Sequence, residues 1–167
     1  PGCAWLSDSC HHKRNVAEES GSQMVSNRAE SFLEELTREQ CLELLNGEEV
    51  GRLAVVVGSR PEILPVNYVL DGDGVVIRTA EGTKLHAIAA GAPVAFEIDA
   101  VDRRRRTGWS VVVHGIAHEA RELGRSDFTA RLDALEVHPW VGGRKPFIVR
   151  IAPISITGRR IRRARAR

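Results

Sequence analysis

The chain has 167 residues, 43% hydrophobic and 28% charged, with a formal net charge of +2. That is one domain's worth of sequence with enough apolar content to bury a core. So small a charge does not by itself imply a nucleic-acid partner, and no run of eighteen apolar residues is present to suggest a membrane span. The three cysteines (Cys3, Cys10 and Cys41) are an odd, scattered set, which excludes a disulfide framework and suggests a reducing, cytoplasmic setting. Cys3, Cys10, His11 and His12 lack the close spacing of a zinc site, so no metal is expected.

Residues 1–29 are rich in Ser, Glu, Asn and Gly and read as a flexible leader. Residues 30–161 form the candidate domain, and the arginine-rich residues 162–167 read as a flexible basic tail. Thr37 to Gln40 has the form of a capping box, in which the Thr hydroxyl and the Gln side chain satisfy each other's backbone N–H groups. Leu42, Leu44 and Leu45 continue that helix, and Asn46-Gly47 ends it. Strands follow over residues 51–57 and 63–70, and Asp71-Gly72-Asp73-Gly74 is a strong hairpin signal into a third strand at Val75.

Residues 75–88, VVIRTAEGTKLHAI, combine several useful features. A β-branched run ends in Arg78-Thr79, a polar turn follows, and Thr83-Lys84 opens a helical pattern with Leu85, Ile88 and Ala89 on one face. Two cations and two hydroxyls thus gather where a strand ends and a helix starts. Helix N-termini favour anions, and Arg and Lys both suit phosphate, so the residue types describe a phosphate cradle. A solvated surface turn is the bland alternative.

Further strands are expected over residues 93–99 and 109–119, a helix over 126–135, and a last strand or strand pair over 147–151 and 154–157, broken at Pro153. Sequential hairpin-linked strands with few helices indicate a mainly β protein, an antiparallel sheet closed into a barrel. The glycine fingerprint of a Rossmann dinucleotide site is missing. The basic runs at residues 103–106 and 159–167 read first as solvated face and tail, and second as a loose anion or nucleic-acid contact in which the four-arginine loop approaches a phosphate-bearing or acidic substrate; no pattern for specific nucleic-acid binding is present.

Taken together, LPVNYVL, VVIRTAEGTKLHAI, VAFEID and GWSVVVHGIA resemble the pyridoxamine 5′-phosphate oxidase-like family of FMN-binding split barrels. The likeness is closest to its small actinobacterial and nitroimidazole-resistance-type branch, and it spans residues 36–161. The resemblance implies a six-stranded antiparallel split β-barrel, a homodimer, and FMN at the dimer interface. It places Thr83 and Lys84 on the FMN phosphate, with Arg78 and Thr79 beside them. Val66, Asn67 and Tyr68 would offer main-chain groups to the flavin edge, and Trp109 and Ser110 would reach the ring from either subunit. His138 and Trp140 are substrate-side candidates. No clean match exists to the substrate-phosphate residues of the family's oxidases, so the resemblance does not carry pyridoxamine 5′-phosphate oxidation with it. The implied function is an FMN-dependent oxidoreductase acting on a small flat molecule such as a nitro compound, a quinone or a pyridoxal-like ring. A flavin- or haem-binding module without turnover, or a deazaflavin-dependent reductase, would use the same barrel.

Overall fold

The computed structural model describes residues 31–82, 88, 90–123, 126–135, 137, 140 and 142–163. Seven strands run in chain order: β1 (Ser31–Leu36), β2 (Val50–Val57), β3 (Arg60–Asp71), β4 (Gly74–Thr79), β5 (Ala90–Asp102), β6 (Thr107–Glu119) and β7 (Phe147–Arg163). Helix α1 (Arg38–Gly47) precedes β2, and a short 3-10 turn (Ala120–Leu123) leads to helix α2 (Ser126–Asp133). All pairings are antiparallel. The order β7-β4-β3-β2-β5-β6 returns to β7, so six strands close a barrel and leave no open edge between them. This is the expected split barrel, with β1 added as a seventh strand.

β1 was not expected. It lies against the far end of β7, from Ser31 opposite Arg163 to Leu36 opposite Gly158. The basic segment therefore enters the sheet two residues beyond the expected boundary at Ile161, with Arg162 also ion-paired to Glu34. Flexible-tail composition is overridden there because β1 supplies a hydrogen-bonding partner.

The capping box forms as expected: Gln40 N donates to Thr37 Oγ1 at 3.3 Å and Thr37 N donates to Gln40 Oε1 at 2.9 Å. At the β3–β4 hairpin, Gly72 adopts φ 64°, the left-handed conformation that a two-residue turn needs. In β7 the register slips between His114 and Gly115, whose partners are Ser155 and Pro153, so Ile154 is an extra, bulged residue. The break expected at Pro153 is thus a bend inside one long strand.

Strand register sorts the side chains into two faces. Leu64, Leu53, Phe96, Val113 and Ile156 lie side by side across β3, β2, β5, β6 and β7 and face the barrel interior, where Leu53, Phe96 and Val113 are fully buried. One residue along, Ile63, Ala54, Ala95, His114 and Ser155 form the matching row on the outer face. Ile63 is 68% exposed there and Val56 is 59% exposed. A second cluster, Val76, Ala120, Leu132, Val137 and Ile148, packs α2 and its approach against β4 and β7.

A partly buried ionic cluster joins these layers. Asp71 at the end of β3 accepts from Arg150 Nε of β7 at 3.0 Å and from Arg131 Nη2 of α2 at 2.9 Å. Asp73, in the same hairpin, pairs with Arg38 of α1 at 2.7 Å. Gly74 leaves room for this cluster: a Cβ there would lie 2.5 Å from the Arg150 guanidinium carbon and would push that side chain aside. No helix among the described residues is long and apolar enough to cross a membrane.

Candidate functional site

The sequence-derived candidates fall at two separate places. The first is the end of the β3–β4 pair. Tyr68 stands opposite Ile77, so Asn67 and Arg78 lie one residue beyond that pair on neighbouring strands, with Thr79 next along β4. Arg78 is already engaged: its Nη2 donates to the Asp133 carbonyl at 2.8 Å and to Asp133 Oδ1 at 3.1 Å. That contact holds the C-terminal end of α2 against β4, where a cation also complements the helix dipole. Thr79 Oγ1 donates to the Ala80 carbonyl at 3.3 Å. Thr83 and Lys84, the centre of the expected cradle, lie outside the described residues, as does His138.

Asn67 has a defined local task. Its Oδ1 accepts from Trp140 N at 3.0 Å and its Nδ2 donates to the Glu49 carbonyl at 3.4 Å. It therefore ties Trp140 to the β3 strand end. The Trp140 side chain is 74% exposed, leaving its indole open at the surface. Sequence spacing offered no sign of this contact, because 73 residues separate the partners.

Val66 and Tyr68 point the other way. Val66 packs against the main core, and Tyr68 is 3% exposed. The Tyr68 hydroxyl donates to the Leu45 carbonyl of α1 at 2.6 Å. Its ring meets Phe96 edge-on, with centroids 4.8 Å apart. Burial, with a smaller contribution from the Glu48 carboxylate, pushes its phenol well above the usual range. Neither side chain is available to a ligand, and the Tyr68 main-chain N–H donates to the Glu49 carbonyl at 3.1 Å.

The second place is an open cleft of about 870 Å³ on the outer face at the far end of β5, β6, β7 and β1. A volume of that order suits a cofactor-sized molecule. Its floor is a row of cross-strand neighbours, Asp99, Ser110 and Arg159, followed by Val101, Gly108, Ile161 and Leu33. Gly108 keeps the floor flat: a Cβ there would lie 2.6 Å from the Ala100 carbonyl oxygen. Trp109 stands on the opposite face of the same strand, partly packed against the core, and reaches the cleft only at its edge. Trp109 and Ser110 thus present themselves from opposite sides of β6, as consecutive strand residues must.

The charges around the cleft are unevenly satisfied. Arg52 of β2 donates to Asp99 Oδ1 at 2.6 Å and to Glu97 Oε2 at 2.9 Å, and the two carboxylates, Asp99 foremost, raise its pKa further. In the β5–β6 turn, Asp102 Oδ1 accepts from Arg105 N at 2.8 Å, a bond that lowers the Asp102 pKa, and Arg105 Nη1 closes on the same carboxylate. This Asx-type turn ends at Arg106, whose φ of 52° is the only positive value for a non-glycine among the described residues. That conformation costs about 1–2 kcal/mol for a side chain with a Cβ. In the sequence both basic runs carry an anion contact only as a second reading, and nothing there singles out Arg106, Arg159 and Arg163 from their neighbours. The alternation Arg159-Ile161-Arg163 was the available signal, masked by the tail-like composition around it.

The two places lie on different strands of one barrel: β2 and β5 stand between Asn67 of β3 and Ser110 of β6. Arg78 pairs with Ile148 of β7 and Trp109 with Arg160. Those partners are twelve positions apart on β7, about 40 Å of strand contour at roughly 3.3 Å per residue.

Comparisons with known proteins agree with this architecture. Residues 37–160 match the sequence pattern of the pyridoxamine 5′-phosphate oxidase family. The uncharacterized protein Rv0080 of Mycobacterium tuberculosis is 36% identical over 146 residues, covering 84% of this chain and 93% of that protein. The solved structure of an FAD binding protein from Mycobacterium smegmatis is 37% identical, with a TM-score of 0.65, covering 77% of this chain and 100% of that one. An FAD-binding protein from Mesorhizobium loti shares the fold at a TM-score of 0.58 and 24% identity, covering 77% of this chain and 97% of that one. The matched span takes in strands β2 to β6 and most of β7, and the chain belongs to the pyridoxamine 5′-phosphate oxidase family.

Proposed function

We infer that this protein binds a flavin nucleotide, taken as FMN, between two copies of the chain and uses it to move electrons to or from a small flat substrate. The observation that carries the reading is that the candidate residues are divided between two places on the barrel, the end of the β3–β4 pairing and the Ser110 cleft. Two facing copies can close one flavin between the Arg78 end of one chain and the Ser110 cleft of the other. The outer face supports a second copy. Ile63 and Val56 are exposed there beside Ala54 and Ala95, an apolar strip of the kind that marks an interface. The FAD binding protein at 37% identity supports a flavin as the ligand class.

In this reading the flavin supplies the electron transfer, and the chain supplies binding, orientation and electrostatics. Lys84 and Thr83 hold the phosphate, with Arg78 fixing the adjoining strand end. Main-chain groups of Val66, Asn67 and Tyr68 meet the polar edge of the ring, and Asn67 keeps Trp140 beside that edge. Ser110 offers a hydroxyl from the partner's cleft, with Trp109 at its margin. The residues present fit such a group, since cations, a strand edge and a cofactor-sized cleft are all available.

The decisive variant is Lys84→Ala. Removing a charge-assisted hydrogen bond of roughly 1.5–3 kcal/mol lowers FMN affinity by about one to two orders of magnitude. Riboflavin affinity stays unchanged, because riboflavin carries no phosphate. Equal losses for both ligands, or no loss for FMN, would remove Lys84 from the phosphate. In light scattering the wild type runs at twice the chain mass; a monomer that binds FMN would overturn the shared site.

A further inference from the structure

We propose that the outer-face cleft holds a ligand carrying two or more adjacent negative charges next to a flat ring, the chemistry of a nucleoside diphosphate. Three arginines line it: Arg106 from the β5–β6 turn, and Arg159 and Arg163 from β7. Among the described residues none of the three makes an ion pair or a side-chain hydrogen bond, although carboxylates are close by in the same strands. Those carboxylates are committed elsewhere: Glu97 and Asp99 to Arg52, Asp102 to Arg105, and Glu34 to Arg162. Glu35 is the cross-strand neighbour of Arg159 and lies outside the cleft lining, without an ion pair to it. The neighbouring acids are thus paired with other arginines; Arg52 serves both Glu97 and Asp99, so among the described residues the lining sets three unpaired cations against one surplus negative charge.

The placement of the three is specific. Arg159 and Arg163 stand four residues apart on one face of β7, flanking Ile161, with about 13 Å between their backbones at roughly 3.3 Å per residue. Two arginine side chains reaching inward from that distance can close on one small anion. Arg106 comes from the other side of the cleft, held by the turn that Asp102 organises, in a backbone conformation that arginine rarely adopts. Strain kept at a surface turn is a recognised sign of a functional constraint. Between the cations the lining is apolar (Leu33, Val101 and Ile161), with the edge of Trp109 beside it. An inorganic anion would leave that lining bare, and an extended duplex would not enter a concave site. A small molecule with a ring on the apolar floor and a diphosphate under the guanidinium forks satisfies both parts.

The inference shares a cleft with the flavin reading but does not depend on a flavin, and its probes are ADP, adenosine, inorganic pyrophosphate and a 20-base-pair DNA duplex. Calorimetric titration of the full chain at fixed, moderate salt should show ADP binding more tightly than either pyrophosphate or adenosine. The double variant Arg159→Gln/Arg163→Gln should weaken ADP binding by about ten-fold or more, with an unchanged circular dichroism spectrum. Arg103→Gln/Arg104→Gln removes the same charge from neighbours that do not line the cleft, and should change ADP affinity by less than about three-fold. No ADP binding, equal losses in the two double variants, or a duplex bound more tightly than ADP would each overturn the assignment, the last in favour of a diffuse polyanion surface. If ADP obeys these expectations while no flavin binds, the flavin reading alone fails. If a flavin binds and the cleft variant leaves ADP unchanged, the cleft assignment alone fails.

Discussion

Phe96→Ala is expected to destabilise the protein by about 3–5 kcal/mol, the range for removing a fully buried phenylalanine. Phe96 has no exposed surface and lies mid-row in the interior, between Leu53 and Val113 of the flanking strands. Gly51 stands directly above it, and a Cβ there would come 2.2 Å from the ring tip, so the ring occupies space that no neighbour fills. The cavity left by alanine therefore cannot collapse cheaply. For a chain of this length the thermal midpoint should fall by roughly 6–20 °C, measured at one protein concentration so that any self-association does not enter the comparison. A loss below about 1 kcal/mol would mean that the barrel repacks around the vacancy, contrary to the close packing inferred for this row.

The second expected result concerns Tyr68, the edge-on neighbour of that ring. Tyr68→Phe removes the hydroxyl that donates to the buried Leu45 carbonyl, which should cost about 1–3 kcal/mol near neutral pH. The pH dependence follows from the raised phenol pKa. In the unfolded chain the phenol ionises near pH 10; in the folded protein it stays protonated to higher pH. Above about pH 10 the native state therefore holds more protons than the unfolded state, and stability falls as pH rises, by up to about 1.4 kcal/mol per pH unit. Below pH 10 the contribution is complete. Urea unfolding of wild type and Tyr68→Phe at pH 9 and pH 11 should show the advantage of the wild type shrinking at the higher pH. An advantage that stays constant would show the phenol ionising as freely in the fold as outside it.

Much of this architecture was legible in local signals. The capping box at Thr37, the Gly72 turn and the alternation of buried Val111 and Val113 along β6 each depend on neighbours a few residues away. What escaped depends on distance. Ser31–Leu36 has no clean strand alternation, and it becomes a strand because the end of β7 lies open beside it, more than a hundred residues further on. The same pairing converts Arg162 and Arg163 from apparent tail to strand, and brings Arg159 and Arg163 into the cleft. At the candidate site, local pattern put Arg78 at the end of one strand and Asn67 inside the strand before it. It could not show that Asp133 already holds Arg78 or that Asn67 anchors Trp140, because helix α2 and the approach to β7 have to fold back before those contacts exist.

The proposed flavin binding is tested most directly by the visible absorption spectrum of the purified full chain after titration with FMN and removal of free ligand. The account predicts that FMN stays with the protein at one equivalent per chain, two per dimer, with a flavin band shifted and structured by its new surroundings. A protein that comes through colourless, having released all FMN, would contradict it.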